Sequence, residues 1–291
     1  MGDHATDRQR FTTGYRTVGV QIVGYDAADG GLLLSGADAA VNDDSDAGDS
    51  TDPSNTADAT DSDIIYRPLD RGTELNYSLG DRHCAGTIHD DTHIACENQT
   101  APYCSDHDGT WVCARCTGTC LKDEMDCFDD HAIYLAAFAP AIFKVGVTRE
   151  WRLDTRLREQ GADRAAHIAT VDNGRIARER EAEIAREITD RVRVPTKRAG
   201  LGRTVDTAAW EELLEEFDQI ERFVFDYGLN LDSQPVDETV AAGSVRGTKG
   251  RLLILDRDGS TYAVDMRELV GYDVTEGRRS RELQSSLGSF E

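Results

Sequence analysis

All seven cysteines of this 291-residue chain fall within one segment, at positions 84, 96, 104, 113, 116, 120 and 127. Thiols gathered in this way point to a metal rather than to disulfides. Seven is an odd number, and the start MGDHATDRQR shows no apolar secretory segment. A tetrahedral Zn²⁺ takes four soft ligands, and Cys113-Ala-Arg-Cys116 has the knuckle spacing that aims two thiolates at one ion. The other pair is open: Cys84 and Cys96 lie upstream, 12 apart. Cys104, His89, His93 and His107 are also in reach, and Cys120 and Cys127 are left for a second site or as free thiols. The segment is poor in apolar residues, so a metal would stabilise what a hydrophobic core cannot. The expected role is structural. A redox Cys-x-x-Cys is disfavoured because no βαβ pattern surrounds it.

The second concentration of chemistry is basic. The chain carries 36 Asp and 19 Glu against 32 basic residues, for a net charge of -23, and only four of the basic residues are Lys: Lys122, Lys144, Lys197 and Lys249. Yet residues 144–203 hold 15 basic and 10 acidic side chains. A basic stretch in so acidic a chain faces an anion such as phosphate, or else forms Arg–Glu pairs on solvated helices. The net charge excludes a whole-surface nucleic-acid binder of the ordinary basic kind. An Asp excess with little Lys is the composition expected of a halophilic protein, whose charged surface keeps it soluble in molar salt. There is no run of eighteen apolar residues, so no membrane-spanning helix and no membrane partner are expected, and a cytoplasmic location is.

The elements that must position these residues are read from periodicity. Residues 11–35 read as strands around a Gly30-Gly31 turn. Residues 36–63 contain nine Asp and no Lys or Arg, which predicts an acidic disordered loop. A strand-like IIYRPL follows at 64–69. HAIYLAAF and AIFKVGVT, separated by Ala139-Pro140-Ala141, predict a β-hairpin over 131–148. An Arg-rich helix is expected over about 150–160, closed by Gly161, and a second over about 174–192, ahead of Pro195. A third is predicted over about 207–227, capped by Thr207, with Trp210, Leu213, Leu214, Phe217, Ile220 and Val224 on one face. Strands return over 240–274, and whether they pack with the N-terminal strands is left open. The expected fold class is α+β. It has a β-rich N-terminal region (1–80), a cysteine-rich zinc segment (81–128), a small hairpin-and-helix module (129–200), a helix with a C-terminal β segment (201–275) and a flexible tail (276–291).

The stretch from Arg82-His83-Cys84 through the hairpin to Glu159-Gln160-Gly161-Ala162 resembles domain-of-unknown-function family 2797 (DUF2797). In that family a Cys-Gly start, a middle Cys, a CxxC pair, a "VYLA…KVG[IV]T" hairpin and an "EQGA" segment recur together. The resemblance covers roughly residues 82–195 and implies Cys84, Cys96, Cys113 and Cys116 as the common metal set. More distantly, Ala132-Ile133-Tyr134 and Lys144-Val145-Gly146-Val147-Thr148 are similar to the paired strands of the GIY-YIG nuclease superfamily, with Arg-rich and Glu-bearing helices following in order.

That second resemblance implies Tyr134 as the group that helps activate water, an Arg on the phosphate charge, and a helical Glu holding Mg²⁺ or Mn²⁺. Gly146 matches the second-strand Gly. The chain departs from the pattern in three places. Lys144 replaces the second-strand Tyr. The usual Arg position is Asp154, with Arg152 and Arg156 two residues either side. Glu183 is the best match for the metal carboxylate, with Glu179 and Glu181 nearby. Each residue also has a plain packing or ion-pairing reading: Tyr134 in the core, Arg152 and Arg156 against Glu159 or Asp163, Glu183 on a solvated face.

The leading expectation is a zinc-stabilised protein that engages DNA or RNA through the 144–203 face, with metal-dependent phosphodiester hydrolysis at Tyr134, Arg152, Arg156 and Glu183. One alternative is a non-catalytic zinc-dependent module that binds nucleic acid or protein, which Lys144 and the shifted Arg favour. Another is a small-molecule enzyme using Lys144 as anion ligand or nucleophile.

Overall fold

The computed structural model describes residues 20–36, 64–89, 92–108 and 128–277. The acidic stretch 37–63, Cys113, Cys116, Cys120, Cys127 and the tail from 278 lie outside the described residues.

Two sheets organise the chain. The larger has nine strands among the described residues: β1 (Val20–Asp26), β2 (Gly31–Ser35), β3 (Ile64–Pro68), β4 (Glu74–Arg82), β11 (Val236–Asp237), β12 (Ala242–Lys249), β13 (Leu252–Arg257), β14 (Ser260–Asp265) and β15 (Tyr272–Glu276). Their order is β11-β14-β13-β12-β4-β15-β1-β2-β3. The N- and C-terminal strands therefore share one sheet, with β15 antiparallel to both β4 and β1; Val274 opposes Leu79 on one side and Val20 on the other. Alternation explains the packing. Leu253 and Leu255 join Ile22, Leu32, Leu34, Leu75 and Val274 in the main core, while Leu252 and Ile254 face the other way onto Leu201.

The smaller sheet has the order β10-β9-β7-β8. It comprises β7 (His131–Phe138), β8 (Ile142–Arg149), β9 (Arg164–Val171) and β10 (Glu221–Val224). The predicted hairpin is β7–β8, and β7 is central, antiparallel to both neighbours. On one face Ala132, Tyr134, Ala136 and Phe138 pack against Leu153 and Leu157 of α1 (Leu153–Gln160), which a 3-10 turn at Glu150–Arg152 introduces. On the other, Ile133, Leu135, Ala137 and Val145 pack with Trp210 and Leu214 of α4 (Thr207–Leu214). Ile184, at the end of α2 (Gly174–Ile184), joins this second cluster. The remaining helices are α3 (Val194–Ala199) and α5 (Met266–Leu269), and no helix among the described residues is long and apolar enough to cross a membrane.

Two predicted helices are shorter than their periodicity suggests. The one starting at Gly174 stops at Ile184, though Ile188 still reaches the core from the turns that follow. The third ends at Leu214, and Glu221–Val224 forms strand β10 along the free edge of β9. Ile220 and Val224 are consequently exposed, at 60% and 76%, instead of completing a helical face. An edge strand needed a partner, and tertiary pairing overrode the local 3.6-residue pattern. Asp206, not Thr207, caps α4, accepting from the Ala209 amide at 3.1 Å.

The two sheets meet where α1 ends. Gly161 closes α1 in the left-handed region at φ 67°, and a Cβ there would sit 2.9 Å from the Lys249 carbonyl oxygen. Gly250, at φ 55°, is equally confined, its Cβ position lying 2.7 Å from the Glu159 carbonyl oxygen. Only glycine permits both the turn and this backbone approach.

Candidate functional site

The first cluster is built by the segment after β4. The Cys84 amide donates to the Asn98 carbonyl (2.7 Å) and that of Ala85 to the Pro102 carbonyl (2.9 Å), which folds the segment around the β5 (Thr87–His89) and β6 (Thr92–Ile94) hairpin. Gly86, at φ 66°, has no room for a Cβ beside the Ile94 carbonyl. The turn after Cys104 is closed by the amides of His107 and Asp108 donating to the Cys104 carbonyl. Cys84, Cys96, Cys104 and His107 thereby bring four ligand atoms within 4.8 Å of one another. His107 Nδ1 lies 3.4 Å from Cys84 Sγ and 3.3 Å from Cys104 Sγ. Zn–S and Zn–N bonds of about 2.3 and 2.1 Å give tetrahedral edges of roughly 3.5–3.8 Å, so the set fits a four-coordinate ion with little adjustment.

The hydrogen bonds around Cys84 and Cys104 suit thiolate ligation, whereas at Cys96 the Asn98 amide lowers the thiol but burial and the neighbouring Cys84 and Cys104 hold it above its ordinary value. Cys84 Sγ accepts from the amides of Gly86 (3.4 Å) and Cys104 (3.2 Å). Desolvation raises the Cys104 thiol, but amide donors at Asp106 and His107, with Cys84 and the His107 ring, outweigh it and bring Cys104 down to about 7. The four donors are thus close enough to hold a metal ion. Of the expected set, Cys84 and Cys96 are here, joined by Cys104 and His107. Cys113 and Cys116 lie outside the described residues. His93 instead anchors the hairpin through the Ala85 carbonyl at 2.8 Å. Cys104-Ser-Asp-His107 has knuckle spacing of its own, a sequence cue overshadowed by Cys113-Ala-Arg-Cys116.

The second cluster lies on the α1 face of the smaller sheet. Tyr134 opposes Gly146 across the hairpin, and a Cβ at Gly146 would fall 2.5 Å from the phenol ring. Lys144 opposes Ala136, and its ammonium sits 5.7 Å from the centre of the Tyr134 ring. Phe138, two residues past Ala136, carries the Lys197 ammonium over its ring at 4.6 Å. Two aromatic rings separated by an alanine thus form a floor, each with a lysine above it.

The Glu159-Gln160-Gly161-Ala162 segment ties this site together. Glu159 takes Arg152 on one oxygen (2.8 Å) and Arg156 on the other (2.9 Å). Gln160 Nε2 donates to the Tyr134 hydroxyl at 2.5 Å, and its carbonyl accepts from Lys197 at 2.7 Å. Gln160 Oε1 is buried with no hydrogen-bond partner among the described residues. The Ala162 carbonyl accepts from Tyr227 (2.9 Å), and Asp163 binds Lys249 at 2.6 Å.

Charge is concentrated here. Burial, then the Arg156 charge, lowers Lys144 to about 8, with Glu181 and Asp190 opposing. Burial lowers Lys197 further, to about 7, with Lys144, Arg251, Arg156 and Lys249 all adding to the shift. Burial likewise raises Tyr134, against Arg156 and Gln160, which keeps the phenol neutral. Lys249 is paired with Asp163, whereas Lys144 and Lys197 have no carboxylate contact among the described residues.

The structure brings Tyr134, Lys144 and Arg156 together. Arg152 stands one step out, behind Glu159. Glu183 does not join them: it points outward on α2 beside Arg180 at 3.9 Å, both about two-thirds exposed. The α2 carboxylate close enough to act on Tyr134 and Lys144 is Glu181, which is itself held by Arg178 at 2.6 Å. Lys197 and Gln160 were not among the residues singled out for chemistry. Their cue was the rarity of Lys in this chain and the position of Gln160 inside the EQGA segment.

A family model described as "Protein of unknown function (DUF2797)" matches residues 110–274. The match takes in the hairpin, both flanking helices and the C-terminal strands through most of β15, further than the resemblance at 82–195 suggested. It begins after His107, so the four-donor cluster lies upstream of it. No curated protein and no solved structure matches the chain significantly.

Proposed function

The chain belongs to the DUF2797 family of proteins of unknown function, and we propose that it is a metal-stabilised nucleic-acid-binding protein whose phosphate site is the Tyr134–Lys144–Arg156–Lys197 cluster. The observation that carries this reading is the pair of ammonium groups over the Tyr134–Phe138 floor that have no carboxylate contact among the described residues. Placing two lysines without carboxylates, beside Arg156, has an electrostatic cost that a bound anion removes. A phosphate oxygen would bring each of them the missing counter-charge. The unfilled Gln160 Oε1 suits a hydroxyl donor beside that phosphate, such as a sugar hydroxyl.

A GIY-YIG-like module is part of the proposal. Its support is the order hairpin, α1, β9, α2, with Tyr134 and Gly146 face to face. Recognition is favoured over cleavage. Lys144 replaces the second-strand Tyr, Glu183 lies on the outer face, and Glu181 is already engaged by Arg178. Zn²⁺ at Cys84, Cys96, Cys104 and His107 is the structural part of the reading, since three thiolates and one imidazole are a donor set that zinc takes. Its chemistry there would be to hold the β5–β6 segment against the large sheet.

The test offers labelled DNA and RNA to the purified protein, with and without Mg²⁺ or Mn²⁺, beside Lys144→Ala and Glu181→Gln variants. Binding that weakens in Lys144→Ala, without cleavage, is expected. Metal-dependent cleavage lost in Glu181→Gln would replace recognition by hydrolysis. Absence of both, in folded and metal-loaded protein, would remove nucleic acid from the account and leave a small anionic substrate.

A further inference from the structure

The rim of the smaller sheet carries a feature that the phosphate site does not use. Trp151, in the 3-10 turn between β8 and α1, is 71% exposed. The Arg149 and Arg152 guanidinium carbons lie 6.0 and 5.9 Å from the centre of its ring. Phe128, 79% exposed, belongs to the same rim. The residues that follow it tie it there, because Asp129 pairs with Arg149 at 3.5 Å and the Asp130 carbonyl accepts from the Glu150 amide at 2.9 Å. The indole face, with the Arg149 and Arg152 guanidinium groups beside it, is a surface on which a flat ring can stack.

The rim is continuous with the phosphate site. Arg152 beside the indole binds Glu159, Glu159 binds Arg156, and Arg156 bears on Tyr134. Of the acids nearby, Asp129 is paired with Arg149, Asp154 with Arg158 at 2.7 Å and Glu159 with its two arginines, and Glu150 accepts from the Thr170 hydroxyl. A flat aromatic surface flanked by guanidinium groups, one step from unpaired ammonium groups, matches a flat base flanked by phosphates.

We propose that Trp151 is a stacking subsite for an unpaired nucleobase, so that the ligand of the phosphate site is single-stranded nucleic acid. This rests on the phosphate reading and adds the class of nucleic acid. A duplex offers no free base face for Trp151, whereas a single strand offers one at every nucleotide. Stacking also supplies binding that counterion release does not set, so it persists at salt concentrations where phosphate contacts alone fade.

The test is a salt titration of a short oligothymidylate and of the corresponding duplex, with wild-type protein and with Trp151→Ala, Trp151→Phe and Lys144→Ala. Wild type is expected to prefer the single strand. Trp151→Ala should bind it about five- to a hundredfold more weakly, with Trp151→Phe close to wild type and the salt slope unchanged in both. Lys144→Ala should instead reduce the salt slope on the single strand by about 0.7. In a Trp111→Phe background, indole fluorescence should be quenched on binding, and this quenching should be lost in Trp151→Ala; Trp210, at 2% exposure, is shielded from such quenching. Equal affinity in wild type and Trp151→Ala, with Lys144→Ala impaired, would overturn the stacking subsite and leave the phosphate site standing. Loss of self-association in Trp151→Ala, with affinity unchanged, would reassign the rim to a second copy of the chain. No binding of any strand at low salt would overturn both readings.

Discussion

Gly146 gives up its side chain so that the Tyr134 ring can lie across it, and this makes the pair a sensitive point. Gly146→Ala is expected to destabilise the protein by roughly 1–3 kcal/mol through overpacking, measured by urea unfolding. The two lysines make a different prediction. Their folded pKa values, about 7 for Lys197 and about 8 for Lys144, lie below the ordinary 10.5. The unfolded chain therefore binds more protons between about 7 and 10.5, and these groups favour folding as pH rises through that window. Below pH 7 both are charged in either state and their burial cost is fully present. Lys197→Met should accordingly stabilise most below pH 7 and progressively less toward 10.5, as followed by unfolding across pH. Anion binding runs the other way, weakening above pH 7–8 as the ammonium groups lose their protons. At this scale the sequence singled out Tyr134, Lys144, Gly146 and Arg156 through the resemblance of the hairpin to the paired strands of the GIY-YIG superfamily. It could not separate Glu181 from Glu183, because the rotation of α2 about its axis is set by Ile184 and Ala177 packing rather than by the local run of Arg and Glu.

Among the elements, the hairpin and α1 were readable because their patterns agree with their environment: an unbroken apolar run on β7, which is buried on both faces, and a helix closed by Gly161. The segment 215–227 was not. Its apolar residues continue the helical spacing of α4, but the open edge of β9 recruits them as β10, with Phe223 turned in and Val224 out. Val224→Lys should thus be nearly silent, within about 0.5 kcal/mol, whereas Leu214→Ala should cost about 2–5 kcal/mol. Equal penalties would mean that Val224 belongs to a buried helix face after all. In the proposed reading the Cys84–His107 segment is closed by a metal held by its four donors. Cys104→Ser should remove one equivalent of bound zinc by elemental analysis and lower the melting temperature, and chelation of wild type should do the same. Unchanged zinc in that variant would show that the metal sits elsewhere in the chain.

For the whole molecule, the large sheet is completed only when the two ends of the chain meet. β15 fills the gap between β4 and β1, so no contiguous piece of sequence contains this core. Periodicity identified most of these strands, though not β4 or β11, and none of their partners, because pairing over such separations leaves no trace in a local pattern. The same architecture places the Gly161–Gly250 contact between the sheets, and with it the lysines of α3 and β12 beside α1. A surface with a net charge of -23 repels itself, and added salt screens that repulsion, so the melting temperature should rise with KCl. The central claim is that Lys144 and Lys197 await a phosphate, and calorimetric titration of single-stranded oligonucleotide into wild type and into a Lys144→Ala/Lys197→Ala double variant tests it most directly. The account predicts measurable binding by wild type and at least a tenfold loss in the double variant, with both proteins equally folded by circular dichroism. Indistinguishable affinities would contradict it.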